Sequence, residues 1–566
     1  MRQATNRERS AVLLGIAAIW AWSNAGAVTP CTDLAGVQIP QSTFSLATTG
    51  ASIDTADVIP ATPPGPTAVG EYCRVRGGIH PVDPLAPNIL FQLNLPTSWN
   101  GKVLQLGGGG YDGTVVTGTG NYPNGPTNRP VPLGQGYATF GSDSGHEATP
   151  PFSTTLAVLD ARFGVNDEAL ENFSYAALKK TRDAAVYIIS LRYGQAPVRT
   201  YFAGHSSGGR EAMAVTQLWP ENYDGAIAWY PAWNAATLDL QFGRIARAFY
   251  VPGAYPNEAK KKLLYDAVIA ACDKLDGLED GVISHVAACK FDPQSLRCPA
   301  GLDAGDTCLS DAQIAAFDTY SSPITFGYPL GSGETQYPGF NVYAGADTRG
   351  LLQLNVAPPK PVVSPPAASD ILTMTFFYTF WDGWIKNFVT RDPSFNSLAF
   401  DPQNPGVYQE RVFDLTDLQD LNDTDLSAFA SRGGKLLLAQ GAADALVSPR
   451  STEDYYNRLI ARYGAKATRS FVRYYEVPGF GHAISGSFIA TWDALKALED
   501  WVERGIAPTN QVVTDIRAGA GGRTRPLCEY PKWPRYNGTG DPNSALSFKC
   551  LKAPGFHGYD DEDDDD

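Results

Sequence analysis

The sequence predicts an α/β fold: a mostly parallel sheet covered by helices on both faces and interrupted by one long insertion. Three observations carry this. Short apolar strand patterns alternate with longer helical ones near both ends of the chain. A glycine-flanked pentapeptide, Gly204-His205-Ser206-Ser207-Gly208, stands at a strand-to-helix junction. Between residues 235 and 419 the alternation dissolves into Pro-rich and aromatic-rich sequence.

In chain order, Arg2, Arg7 and Arg9 precede an apolar run over 11–22 and the small triplet Ala25-Gly26-Ala27, the pattern of a secretory signal peptide over 1–27. The run is too short to span a bilayer, and no later segment approaches ~20 apolar residues. The expectation is an exported protein, secreted or periplasmic, with no membrane span. Residues 28–234 read as the first part of the core, with strands over 90–95, 103–106 and 137–140, a helix over 169–193, a strand over 199–203, a helix over 208–218 and a strand over 225–230. The insertion over 235–419 is read as a lid domain. The core resumes over 420–558 with strands at 435–439 and 472–477, a helix over 452–463 and a final helix over 488–503. Residues 559–566 form an acidic tail that cannot bury anything.

Composition agrees. A chain of 566 residues exceeds what one compact core organises, which favours a large domain carrying an insertion. The formal charge of -15, with no long run of Lys or Arg, excludes a phosphate-tracking surface and so a nucleic-acid partner. Eight cysteines make an even set that suits an oxidising compartment. Spacing alone does not fix their pairing, but the clustered order favours Cys31 with Cys73, Cys272 with Cys289, Cys298 with Cys308, and Cys528 with Cys550.

The pentapeptide fits a nucleophile elbow, where glycines let a serine on a tight turn project its hydroxyl above the sheet. A serine needs a base within reach and an acid to orient that base. Of six histidines, His205 sits in the elbow, His80 and His146 precede it, His285 falls in the insertion and His557 near the tail. His482 remains, directly after the last predicted strand. Asp444 follows the preceding strand, whereas Asp454 falls inside a predicted helix as surface charge. The order Ser206, Asp444, His482 is that of an α/β-hydrolase core with a large inserted lid domain. Acyl transfer also needs oxyanion donors, and the amides of Ser207 and of Gly110, in the run Gly107 to Gly110, are the candidates.

These residues, with Ser142-Asp143-Ser144-Gly145-His146, Gly208-Gly209-Arg210-Glu211, Tyr223-Asp224-Gly225, Val477-Pro478-Gly479, Trp501-Val502-Glu503 and Arg525-Pro526-Leu527-Cys528, resemble the tannase and feruloyl esterase family over nearly the whole mature chain. The resemblance implies a serine carboxylesterase acting on a small aromatic acid ester of feruloyl, galloyl or terephthaloyl type. It also marks a departure. Family members carry a cysteine before the nucleophile and another after the catalytic histidine, joined as a tether, where this chain has His205 and Ala483. Positioning of the loops then falls to packing.

Asp273 to Val282 places carboxylates around two glycines, an oxygen-rich turn of the kind hard cations prefer. The resemblance implies a structural calcium site with the Asp273, Asp276 and Asp280 side chains and the Leu278 and Val282 carbonyls as ligands, flanked by Cys272 and Cys289. By family position Val447 lines the acyl pocket. The stretch Phe376, Phe377, Tyr378, Phe380, Trp381 and Trp384 is suited either to stacking on a phenyl ring or to a packed lid core. Rival readings on the same triad are a peptidase or a polyester hydrolase, and outside enzymes a non-catalytic exported binding protein. Oligomeric state is not legible.

Overall fold

The computed structural model describes residues 28–552 apart from 66, 153, 351 and 363–366, so the expected signal peptide and acidic tail lie outside the described residues. A ten-stranded sheet organises the molecule, in the order β1-β2-β3-β4-β6-β5-β7-β8-β11-β12. Its strands are β1 (Gln38–Ile39), β2 (Ala51–Ile59), β3 (Tyr72–Ile79), β4 (Ile89–Pro96), β5 (Lys102–Leu106), β6 (Ala138–Ser142), β7 (Arg199–His205), β8 (Gly225–Trp229), β11 (Lys435–Gly441) and β12 (Val472–Val477). The short hairpin β9 (Ile324–Thr325) and β10 (Gln336–Tyr337) lies in the insertion.

The half from β6 to β12 is parallel, as the apolar runs predict, because strands covered on both faces read as continuous hydrophobic stretches. The other half, β1 to β4, is antiparallel, so the sheet is mixed. Strand β2 alternates buried with exposed positions, as a strand with one wet face does.

Side-chain alternation along the central strands sorts two cores. Phe202, Ala226, Ala228, Leu436 and Leu438 pack under α3 (Ser207–Leu218) and α11 (Pro449–Tyr463). Tyr201, Ala203, Ile227, Trp229, Leu437 and Ala439 point the other way, against α13 (Ala494–Arg504). The expected helix over 169–193 is α1 (Asp167–Glu171), a π-helical turn (Asn172–Ala176) and α2 (Ala177–Tyr193), the last covering the antiparallel half.

The expected final helix over 488–503 begins only at Ala494. Residues before it form β13 (Ala490–Thr491), paired with β14 (Val512–Asp515), which in turn pairs β15 (Thr524–Pro526). The physical reason is that Asp515 accepts from the Ile489 N–H and Asn124 O from the Trp492 N–H, so these amides are committed outside any helix. A hairpin of β16 (Lys532–Tyr536) and β17 (Phe548–Lys552) follows.

Between β8 and β11 the chain leaves the sheet and forms α4 (Ala235–Tyr250), α5 (Glu258–Cys272), α6 (Asp311–Ser321), α7 (Ala368–Thr373), α8 (Phe376–Trp384) and α9 (Gln409–Gln419), returning through α10 (Ser427–Ser431). A short α12 (Ala465–Arg469) precedes β12. The aromatic stretch is the core of this insertion. Phe377, Tyr378, Trp381 and Trp384 are fully buried, Trp381 donating to Ser397 O and Trp384 to Gln419 Oε1. All four cysteine pairs form as their order suggests: Cys31–Cys73, Cys272–Cys289, Cys298–Cys308 and Cys528–Cys550.

Candidate active site

Strands β7, β11 and β12 run parallel, so the turns after their carboxyl ends open at one edge of the sheet. Ser206 follows β7 with φ 56° and ψ −121°, the strained geometry of a nucleophile elbow. Its N–H donates to Trp229 O and its carbonyl accepts from Ala232, which pins the turn to the neighbouring strand. Gly208 has no room for a side chain, since a Cβ there would lie 2.6 Å from Gly108 O. The elbow and the glycine-rich turn after β5 are thus in backbone contact, with Gly107 N–H also bonded to Ala203 O.

The Ser206 hydroxyl lies 3.1 Å from His482 Nε2, and His482 Nδ1 lies 2.9 Å from Asp444 Oδ2. Asp444 is wholly buried. Its Oδ1 accepts from the Leu446 and Val447 N–H groups at 2.8 and 2.9 Å, and its Oδ2 also takes Gln440 Nε2 at 3.3 Å. These bonds consume the carboxylate's lone pairs in fixed directions, so Nδ1 of His482 is left as the donor and Nε2 as the acceptor facing serine. Val447 is buried in the apolar cluster it shares with the insertion, and its amide belongs to the acid turn. Asp454 lies on α11, ion-paired with Arg458 at 2.5 Å and 46 % exposed.

With no tether between the two catalytic turns, tilted and edge-on ring contacts gather around His205 and His482. Tyr230, just past β8 at φ 32°, sits with its ring centroid 4.6 Å from that of His482 and 5.6 Å from that of His205. Phe480 packs edge-on to Tyr230 at 5.8 Å. Backbone bonds from Ala442 to Val477 O and from Ala443 to Phe480 O join the acid and histidine turns. His205 is held neutral: burial pushes its imidazole down to about 4, the neighbouring His482 adding to the shift. Tyr230 escapes sequence reasoning because it touches the histidines only through space. Its signal is its place at the carboxyl end of the strand beside the elbow strand.

Gly110 and Ser207 both stand at this edge. Ser207 opens α3, where first-turn N–H groups have no intrahelical acceptor. Phe380, the one half-buried ring of the aromatic stretch, meets Tyr111 at 5.2 Å, next to Gly110.

In the acidic turn, Asp273 accepts from the Asp280, Gly281 and Val282 N–H groups, and Asp276 from those of Leu278 and Ser284. Asp280 pairs with Arg523 and Arg525. Burial, with the charge of Asp280 adding to it, pushes the Asp276 carboxyl up to about 6 and Asp273 in the same direction. The side-chain donors are all oxygen, the type hard cations take, and the charge of Asp280 bears on both Asp273 and Asp276. Among the described residues no three His, Cys, Asp or Glu side chains meet at metal-holding spacing.

An α/β fold whose sheet edge gathers a strained serine, a histidine and a buried aspartate is that of a hydrolase. The chain belongs to the tannase and feruloyl esterase family, whose model matches residues 73–551, and it is thereby an esterase. It is 40% identical to an uncharacterized esterase of Agrobacterium fabrum, with 92% of each chain covered. It is 30% identical to the mono(2-hydroxyethyl) terephthalate hydrolase of Piscinibacter sakaiensis, over 88% of this chain and 87% of that one. Feruloyl esterase B from Aspergillus oryzae shares the fold, with a TM-score of 0.71 at 22% identity, over 90% of this chain and 100% of that one.

Proposed function

We propose that the chain is an exported serine esterase that hydrolyses esters of small aromatic acids through an acyl-enzyme. The observation that carries this reading is the continuous bond path from Ser206 Oγ through His482 to fully buried Asp444. Ser206 attacks the ester carbonyl as His482 Nε2 takes its proton, and Asp444 holds the imidazole and stabilises its cation. The N–H groups of Gly110 and Ser207 receive the oxyanion. His482 then protonates the departing alcohol, and water repeats the sequence to release the acid. Support for an aromatic acyl group comes from the relatives named for feruloyl and terephthaloyl esters and from the Phe380 and Tyr111 rings beside the glycine turn.

A calcium ion at the acidic turn completes the reading, held by the side chains of Asp273, Asp276 and Asp280 and the carbonyls of Leu278 and Val282. Its contribution is to fold stability. Export rests on the amino-terminal pattern and the four disulfides.

The test is a hydrolysis panel of feruloyl, galloyl, terephthaloyl and simple alkyl esters, run beside Ser206→Ala. Aromatic esters should be turned over fastest, and the variant should lose about 10³-fold or more in kcat with an unchanged fold. Residual activity in Ser206→Ala equal to wild type would end the serine mechanism. A preference for alkyl esters would end the aromatic assignment.

A further inference from the structure

Two motifs of the sequence, Ser142 to His146 and Gly208 to Glu211, take no part in the reaction just described, yet both close on the glycine-rich turn. Gly108 N–H donates to Glu211 Oε2 at 3.0 Å and Gly109 N–H to Asp112 Oδ1 at 2.6 Å. Gly107 and Tyr111 donate to Ala203 O and Val158 O, and His146 Nε2 lies 2.6 Å from Tyr111 O on the far side. Among the described residues the Gly110 N–H has no acceptor. Its φ of +58°, with Val158 O 2.3 Å from where a Cβ would sit, reserves the position for glycine. The turn is therefore wound so that its other amides are spent on the protein and one is left over.

The two acids that hold it are buried, Asp112 at 3% and Glu211 at 2% exposure, and bond successive amides of the one turn, close enough for the charge of Asp112 to act on Glu211. Arg210 lies alongside, its guanidinium anchored on Ser174 O and Phe173 O, and its charge draws the Asp112 carboxyl down against the effect of burial. With both acids ionised, Asp112 Oδ2 is buried without a donor. A proton on Glu211 supplies one, and two neighbouring carboxyls away from water disfavour carrying charge together. Burial pushes both acids up, Asp112 to about 6 and Glu211 well above the ordinary carboxylate range, the direction a shared proton requires.

Building on the serine-esterase reading, we infer that Asp112 and Glu211 are positioning residues: sharing one proton, they fix Gly108 and Gly109 so that the Gly110 N–H is presented to the oxyanion formed at Ser206. The pair touches no substrate. It acts through the turn.

The experiment is a double-mutant cycle of Asp112→Asn and Glu211→Gln, read as kcat and KM on an aryl ester together with the melting temperature. Each single exchange keeps one negative charge beside Arg210 and one bridging hydrogen, so each retains kcat within about threefold. The double exchange removes the charge and sets two NH2 donors face to face. Its kcat should fall about 10²-fold, the loss that follows removal of an oxyanion donor, with KM within about threefold and melting little changed. A double variant no worse than the product of the singles overturns the inference, as does a kcat loss that merely tracks melting. Should the double variant fail to fold, Glu211→Leu is compared with Glu211→Gln. Leucine cannot accept from Gly108, and equal kcat for the two overturns the inference. Wild-type protein that hydrolyses no ester overturns the esterase reading, and the inference with it. An active wild type with a flat mutant series overturns the inference alone.

Discussion

His146 shows how a single buried side chain adds to the acid sensitivity of this fold. Burial pushes its imidazole down to about 4, against an ordinary value near 6.5, while its ring stacks on Phe163 at 3.7 Å and bonds Tyr111 O. Between those two values the unfolded chain binds the proton and the native one does not. The residue's contribution is therefore complete above about pH 6.5 and is lost as the pH falls toward 4. His205 acts in the same direction. His146→Gln should flatten the pH dependence of unfolding free energy between pH 4 and 6.5 by up to one proton, about 1.4 kcal/mol per pH unit. Urea melts at half-unit pH intervals measure it, and parallel curves for variant and wild type would show that His146 titrates normally. At this scale the sequence discloses Ser206, Asp444 and His482, because each sits at a strand end and their order is constrained. It marks Glu211 only as part of a motif and conceals Tyr230, because what each touches is set by contacts made across the fold.

Among elements, what was legible follows burial. Strands β5, β7, β8, β11 and β12 are covered on both faces, and their apolar runs stand out. Strands β1 to β3, the hairpin of β16 and β17, and β13 are short, mixed or half-wet, and pattern alone does not separate them from loop or helix. The π-helical turn between α1 and α2 leaves no mark on the apolar periodicity, so one helix was expected where three segments stand. The acidic turn is the element whose stability a bound cation would change. It begins directly after Cys272, whose disulfide to Cys289, 17 positions on, closes a loop around it, and its carboxylates lie near one another with Arg523 and Arg525 as counterweights. Removing a bound cation should free the repulsion among those carboxylates locally. Excess chelator is expected to lower the melting temperature of metal-loaded protein by several degrees while leaving acylation of Ser206 at low temperature intact. Calorimetry with and without chelator checks it, and superimposable traces would remove the ion from the account.

For the whole molecule the question is whether the insertion moves as a separate body over the sheet. One apolar cluster answers it structurally: Tyr111, Leu159, Leu170 and Phe173 from the first part of the chain and Ala445 to Val447 from the second join Phe242, Phe317, Tyr320, Phe377 and Trp381 of the insertion. Polar contacts cross the same boundary. Asn341 donates to Ala442 O, Arg458 grips Glu334 through both carboxylate oxygens, and Asp420 accepts from Ala236 N–H at the root of α4. The acid turn that holds Asp444 is thus built partly from insertion contacts, including a bond from Tyr320 to Ala445 O. Unfolding the insertion alone would expose that shared core and strand buried partners, so the two parts should lose structure together despite the chain's length. Calorimetry of the oxidised protein should show one transition whose calorimetric and van't Hoff enthalpies agree, with ester hydrolysis lost at the same temperature. Two resolved transitions, the first leaving the sheet intact, would show instead that the insertion is an independent cap.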